Sequence, residues 1–418
     1  MSTSKNYILS ISIIGVLFFI FGFVTWLNGT LIPFLKLACD LKTDSEALLV
    51  TFAFYMAYFF LAIPSSFILT KTGFKKGMSL GLAVMGFGAL LFIPAAATRS
   101  FSLFLTGLFV QGMGLALLQT ASNPYISVIG PIESAAKRIS IMGICNKVAG
   151  ALSPLVLGAI VLEGASEIEK KIATISNEGE RVQLLQELSH RVIMPYGIMA
   201  VVLFLLAVWI WFSALPEIET DGGKASESQN SKTSIFQFPH LLLGMLCLFL
   251  YVGAEVMAGD VIGTYGKAIG ISLDETKIFT SYTLWSMVVG YIIGIATIPK
   301  YIKQENALAI SAVIGILLSV GVFATTGYTS IVFIALLGFA NALMWPAIFP
   351  LAIEGLGKFT KIASALLIMG IAGGAVVPQV YARIVPTLGP PSAFFWIVAP
   401  CYAYILFYSL KGHRVGKA

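Results

Sequence analysis

The 418 residues carry a formal net charge of +6, yet only 11% are charged and 58% are apolar, with a mean hydropathy of +0.91. Soluble domains carry roughly 25% charged and about 45–50% apolar residues, so an ordinary water-soluble fold is excluded. Three histidines and four cysteines, with no C-x-x-C or H-x-x-x-H spacing, leave little for a zinc or haem site, and the scattered basic residues form no nucleic-acid patch.

Twelve apolar segments follow in chain order, at approximately 8–35, 47–70, 77–97, 101–129, 138–162, 192–214, 240–267, 276–299, 306–326, 330–355, 361–386 and 391–411. Each is long enough for a helix to cross a hydrocarbon core about 30 Å thick, which takes about 20 residues. Helix is the expected form, because an unpaired backbone group in lipid costs several kcal/mol. The runs are continuously apolar, unlike barrel strands of about 10 alternating residues. The first run is a full-length span rather than the short core of a cleavable signal. The expected fold class is therefore an all-α membrane protein. Cys145, Cys247 and Cys401 fall inside spans and read as buried thiols, Cys39 as a more exposed one, with no disulfide implied.

Two hydrophilic stretches interrupt the pattern. Residues 163–191 are charged and helix-friendly, predicting a short amphipathic cap. Residues 215–238 are rich in Gly, Ser, Asp and Glu, which suits a flexible linker between a six-span bundle at 1–214 and a second at 239–418. Lys and Arg favour the side that holds both termini and the connections after the even-numbered spans. The positive-inside rule then makes that side cytoplasmic.

The halves repeat. Residues 41–64 and 271–294 each place an acidic cap before an aromatic-rich helix, with Asp44 matching Asp274. Pro124 with Lys137-Arg138-Ile139-Ser140 answers Pro346 with Lys361-Ile362-Ala363-Ser364. Consecutive halves in the same orientation are the mark of a parallel-repeat transporter.

The segments FGFVTWLNGTLIPFLK (21–36), GLALLQTASNPYISVIGP (114–131), GICNKVAGALSP (143–154) and MWPAIFPLAIEGLGK (344–358) resemble the fucose–galactose–glucose–proton symporter family of the major facilitator superfamily (MFS). The L-Q-T-A-x-N-P form looks most like its glucose/galactose branch. The resemblance implies twelve transmembrane helices in two six-helix pseudo-symmetric bundles (the MFS fold). It also implies hexose transport by alternating access around one mid-membrane site. The chain departs from the family where family members carry ionisable groups. Gly29 stands where the family commonly has Asp, Gln119 stands where fucose-type members have Glu, and Lys147 is gained after Asn146.

An ionisable group at mid-membrane costs roughly 2.5–3.5 kcal/mol on insertion scales and is a functional candidate for that reason. Lys147 lies in span 5, and Glu255 and Asp260 lie in span 7, so Lys147 either pairs with one of these acids across the halves in one conformational state or contacts only a backbone carbonyl and water in the cavity. With the N-terminal family positions neutral, coupling falls to Glu255 as the proton carrier, or to a carboxylate with backbone carbonyls holding Na⁺. Asp260, nearer the outer end of its span, is expected as a helix-terminal or gating group that also bears on charge balance. A Lys147 charge standing in for the cation, leaving a uniporter, is the alternative.

Sugars need amides that both donate and accept, and an aromatic platform for the ring face. The amide candidates are Asn28, Gln119, Asn123, Asn146, Asn341 and Gln379, with the Glu255 carboxylate as a further substrate contact. The aromatic candidates include Trp26, Tyr55, Tyr251, Tyr282, Trp285 and Trp345. Gln119 and Asn123 are one helical turn apart and share a face, and Pro124 is expected to bend span 4. The histidines (His190, His240, His413) lie at loops or ends, so no nucleophile–base pair of an enzyme is in sight. The expected partners are a sugar and the lipid bilayer, with no nucleic acid and no resident cofactor. The expected form is a monomer in a bacterial cytoplasmic membrane, and an amino sugar or polyol is the rival solute.

Overall fold

The computed structural model describes residues 2–128, 135–216, 234–298, 300–356 and 359–416. Among these described residues, eleven helical stretches are long and apolar enough to cross a membrane. One of them is double, since Leu49–Leu90 reverses at Gly73, whose φ of 77° and ψ of 173° only a residue without Cβ adopts freely. That break separates spans 2 and 3, so the twelve expected crossings are present.

In the first half, span 1 (Ser2–Thr25, then Asn28–Ala38) packs on span 5 (Ala135–Val161). Spans 2 and 3 pack on span 4 (Phe101–Val128), and span 6 (Ile193–Phe212) closes the group against span 3. Pro124 lies within span 4 without interrupting it. In the second half, span 7 (Pro239–Gly259, then Ile262–Ala268) packs on span 11 (Thr360–Met369, then Gly373–Leu388) and span 12 (Pro390–Leu410). Span 8 (Phe279–Thr297) lies against span 10 (Gly327–Asn341, then Met344–Ile353), and span 9 (Gln304–Ala324) against spans 10 and 12. Spans 5 and 8, and spans 2 and 11, carry the packing between halves.

The hydrophilic stretch after span 5 forms two helices, Ala165–Thr174 and Glu178–His190, the second capped by the Asn177 side chain on the Gly179 N–H. Residues 217–233 of the expected linker lie outside the described residues. At its end Ser234 and Gln237 cap each other around a short turn, and Phe238 is buried.

Hydrogen bonds and ion pairs joining the halves gather toward the end that carries 163–191. There Ser166 and Asp274 exchange hydrogen bonds, each backbone N–H to the other's side chain, at 3.3 and 3.2 Å. Lys267 pairs with Glu169. Gln379 donates to the Ser45 carbonyl at 3.1 Å and accepts from its hydroxyl at 3.3 Å. Beside them, Asp40 is pulled in two directions: partial burial favours its neutral form, but Lys42 and Arg181 hold its carboxyl below the usual range.

Candidate functional site

A cavity of about 110 Å³ lies between the halves, room for roughly seven to eleven water positions at ~10–15 Å³ each. The first half supplies Gln119 and Asn123 from span 4, Asn146 and Lys147 from span 5, Trp26 from span 1 and Tyr55 and Tyr58 from span 2. The second half supplies Tyr251 and Glu255 from span 7, Tyr291 from span 8 and Trp345 from span 10.

The broken helices set this arrangement. Span 1 tightens at its break, where the Leu27 N–H reaches Val24 O at 3.4 Å, and span 7 widens, where Val261 N–H reaches five residues back to Val256 O at 3.1 Å. Widened turns of this kind often mark functional sites in helices. The span 1 break turns the Trp26 indole between Gly150 of span 5 and Gly259 of span 7, so one ring touches both halves. Beyond it Gly29 presses on span 8, where a Cβ would stand 2.4 Å from Thr280 Oγ1. That contact leaves no room for the Asp that the family pattern puts there.

Lys147 Nζ sits 2.8 Å from Glu255 Oε1, with the two side chains 9% and 11% exposed, and 4.4 Å from the Trp26 ring centre. The pair crosses from one half to the other. Burying two charges is costly, and their mutual attraction repays it only with close geometry of this sort; the indole face adds a cation–π contact. The cavity wall therefore carries no net charge from this pair. Asp260 lies five residues beyond Glu255, fully buried. Its Oδ2 accepts from the Tyr55 hydroxyl at 3.0 Å, again across the halves, and its Oδ1 has no partner among the described residues.

Of the expected substrate contacts, the structure brings Gln119, Asn123, Asn146, Glu255, Tyr55 and Trp345 to the cavity, together with Lys147. Gln119 is held by Tyr58, whose hydroxyl accepts from its Nε2 at 2.8 Å. Five expected contacts lie elsewhere. Gln379 bonds Ser45 at the end of the bundle, because it falls past the turn at Gly370–Ala372. Asn341 is wholly buried and accepts from the Tyr402 hydroxyl at 2.8 Å, joining spans 10 and 12. Asn28 starts the second segment of span 1 and is buried away from the cavity. Trp285 is 43% exposed on the outer surface of span 8, and Tyr282 lies there with it. Asp260 likewise stands beside the cavity rather than on its wall. Sequence reasoning missed Tyr58 and Tyr291. Tyr58 sits one helical turn after Tyr55, and that spacing was the available signal.

Two helical bundles of matching plan, with broken helices bordering a cavity of amides and aromatic rings between them, have the plan of a parallel-repeat membrane transporter. The chain belongs to the Major Facilitator Superfamily, whose profile matches residues 14–385, and within it to the fucose–galactose–glucose–proton symporter family; it is a transporter and not an enzyme. A glucose/galactose transporter of Brucella abortus is 33% identical over 416 residues, covering 99% of this chain and 96% of that one. A putative glucose/galactose transporter of Helicobacter pylori is 30% identical, covering 97% of each. The L-fucose-proton symporter of Escherichia coli is 27% identical, covering 97% of this chain and 93% of that one. A crystal structure of the E. coli fucose:proton symporter superposes with a TM-score of 0.75 at 26% identity, over 97% of this chain and 98% of the other.

Proposed function

We propose that the chain carries a hexose of the glucose or galactose type across a bacterial cytoplasmic membrane, coupled to the entry of a cation. The observation that carries this reading is the composition of the cavity wall. Amides at Gln119, Asn123 and Asn146 face aromatic rings at Tyr251, Tyr291 and Trp345, and the one cation among them is neutralised by Glu255. Such a wall suits an uncharged solute with many hydroxyls and one apolar face. The names of the Brucella and Helicobacter relatives agree with it.

With both termini cytoplasmic, the end closed by Ser166–Asp274 and Lys267–Glu169 faces outward, and the cavity belongs to an inward-facing or occluded state. One chain holds the whole cavity, so a monomer suffices. Purified protein in proteoliposomes tests the reading: labelled galactose and glucose are offered under separate inward proton and Na⁺ gradients. Accumulation above the external concentration under one of them is expected. Equilibration without accumulation would indicate a uniporter, and no hexose movement at all would reject the sugar assignment.

A further inference from the structure

The buried charges at the interface do not balance. Among the described residues, the buried ionisable carboxylates and cations are Arg138, Lys147, Glu255 and Asp260. Arg138 is engaged elsewhere, donating to the Ile126 carbonyl at 2.9 Å. One ammonium therefore faces two carboxyl groups, and Glu255 holds it at 2.8 Å. Asp260 is left fully buried and outside any salt bridge among the described residues: its carboxyl accepts from Tyr55 and faces the Gly29 backbone N–H, and Oδ1 has no partner among the described residues. An isolated buried carboxylate anion is among the least favourable groups in a protein interior, and the neutral acid removes the cost.

We infer that Asp260 is the proton-binding site of this transporter, carrying one proton in the state seen here. The groups facing it are few. Tyr55 approaches from span 2, Glu255 stands on its own helix, and Lys147 from span 5 is tied to Glu255. Span 8 presents Thr280 and Thr283, both of whose hydroxyls donate to span 7 carbonyls, at 2.8 and 2.7 Å. Span 1 presents Gly29 and Trp26, which do not titrate in this range. The proton enters when the end carrying 163–191 opens: the Tyr55 hydrogen bond breaks, the exposed carboxylate takes H⁺ from the medium, and the neutral acid is then buried beneath Tyr55 as the halves close. Placing the carboxyl on span 7 restores, from the opposite half, the acid missing at Gly29 in span 1.

The inference rests on the cation-coupled reading above for its transport arm, but an infrared arm needs no substrate. Purified protein at neutral pH is expected to show the carbonyl stretch of a buried protonated carboxylic acid. That band should vanish in Asp260→Asn, persist in Glu255→Gln and move to higher frequency in Tyr55→Phe, which removes the donor. The Tyr55→Phe shift reports on the site even where Asp260→Asn does not fold. In proteoliposomes, an inward proton gradient should accumulate galactose in the wild type. Asp260→Asn should bring that accumulation ratio down to one while galactose counterflow persists. Absence of the band in the wild type, or its loss in Glu255→Gln rather than Asp260→Asn, would overturn the assignment. So would galactose accumulation by Asp260→Asn equal to that of the wild type, with the sugar reading left standing. Failure of any hexose to move, with the infrared result intact, would sink the sugar reading instead.

Discussion

Spans 1 and 7 open the two halves and break at corresponding places, but in opposite senses. Span 1 tightens and span 7 widens, and both then restart on the same short pattern, Asn28-Gly29-Thr30 against Ile262-Gly263-Thr264. The Thr30 and Thr264 hydroxyls are both buried without a partner among the described residues. The backbone plan is thus duplicated while the chemistry is not: span 1 brings no charge to the interface, and span 7 brings Glu255 and Asp260. What the comparison teaches is that a pseudo-symmetric pair can keep one mechanical role and divide the electrostatic one. The first half provides the cation through Lys147 and the second half the acids, so rocking the halves apart must separate buried charges.

The strongest way to break this division is Lys147→Ala. It leaves the Glu255 carboxylate buried alone, a loss of ~3–5 kcal/mol for a pair of this kind. Thermal stability in detergent should drop accordingly and transport should fall more than tenfold. Adding Glu255→Gln should restore the stability, not the coupling. A stability unchanged by Lys147→Ala would mean the pair contributes nothing across the halves.

Next in size are the two restart glycines. Gly29→Ala drives a methyl against Thr280 Oγ1 at 2.4 Å, whereas at Gly263 the nearest atom, Thr276 O, is 3.3 Å away. Overpacking of the first kind costs about 1–3 kcal/mol. Gly29→Ala should therefore disfavour the closed end, raising the labelling of a cysteine introduced at Ser45, while Gly263→Ala changes it far less. Equal labelling would remove the asymmetry.

The paired amides sharpen the comparison further. Gln119→Ala deletes a cavity contact worth ~0.5–1.5 kcal/mol, so galactose affinity should weaken about 2–10-fold. Asn341→Ala strands the Tyr402 hydroxyl and should lower stability while leaving affinity in place. Smallest of all are the surface contacts. Lys267→Glu at the Glu169 pair should change transport rate no more than a few-fold, as exposed pairs contribute ~0–1 kcal/mol. Asp40, whose folded carboxyl titrates below its unfolded value, adds stability at neutral pH that fades only as pH falls through that lowered range. Arg181→Gln should remove that part of the acid sensitivity, read from thermal stability against pH.

The spans were legible in the sequence because bilayer thickness imposes a length that composition reveals directly. The cavity side of span 4 was legible as well, since one helical turn fixes Gln119 and Asn123 on one face. Lys147 and Glu255 stood out because charge is rare at that depth. Gln379 and Asn341 were misplaced for a physical reason: amides join helices as readily as they meet solutes, and only the packing of spans 10 to 12 decides which. Trp285 went outward because an aromatic in a span is equally at home against lipid. The Gly-Thr restart was present in the sequence, but its meaning depends on knowing where the helices break.

Trp26 has a further use. Its indole is wedged between glycines contributed by opposite bundles, so any separation of the bundles would change its surroundings. Four of the other five tryptophans, Trp209, Trp211, Trp285 and Trp396, are 43–60% exposed on the outer surface and keep their environment. The molecule thus contains its own optical reporter, and with Trp345 replaced by Phe the emission change that accompanies opening would come from a single ring.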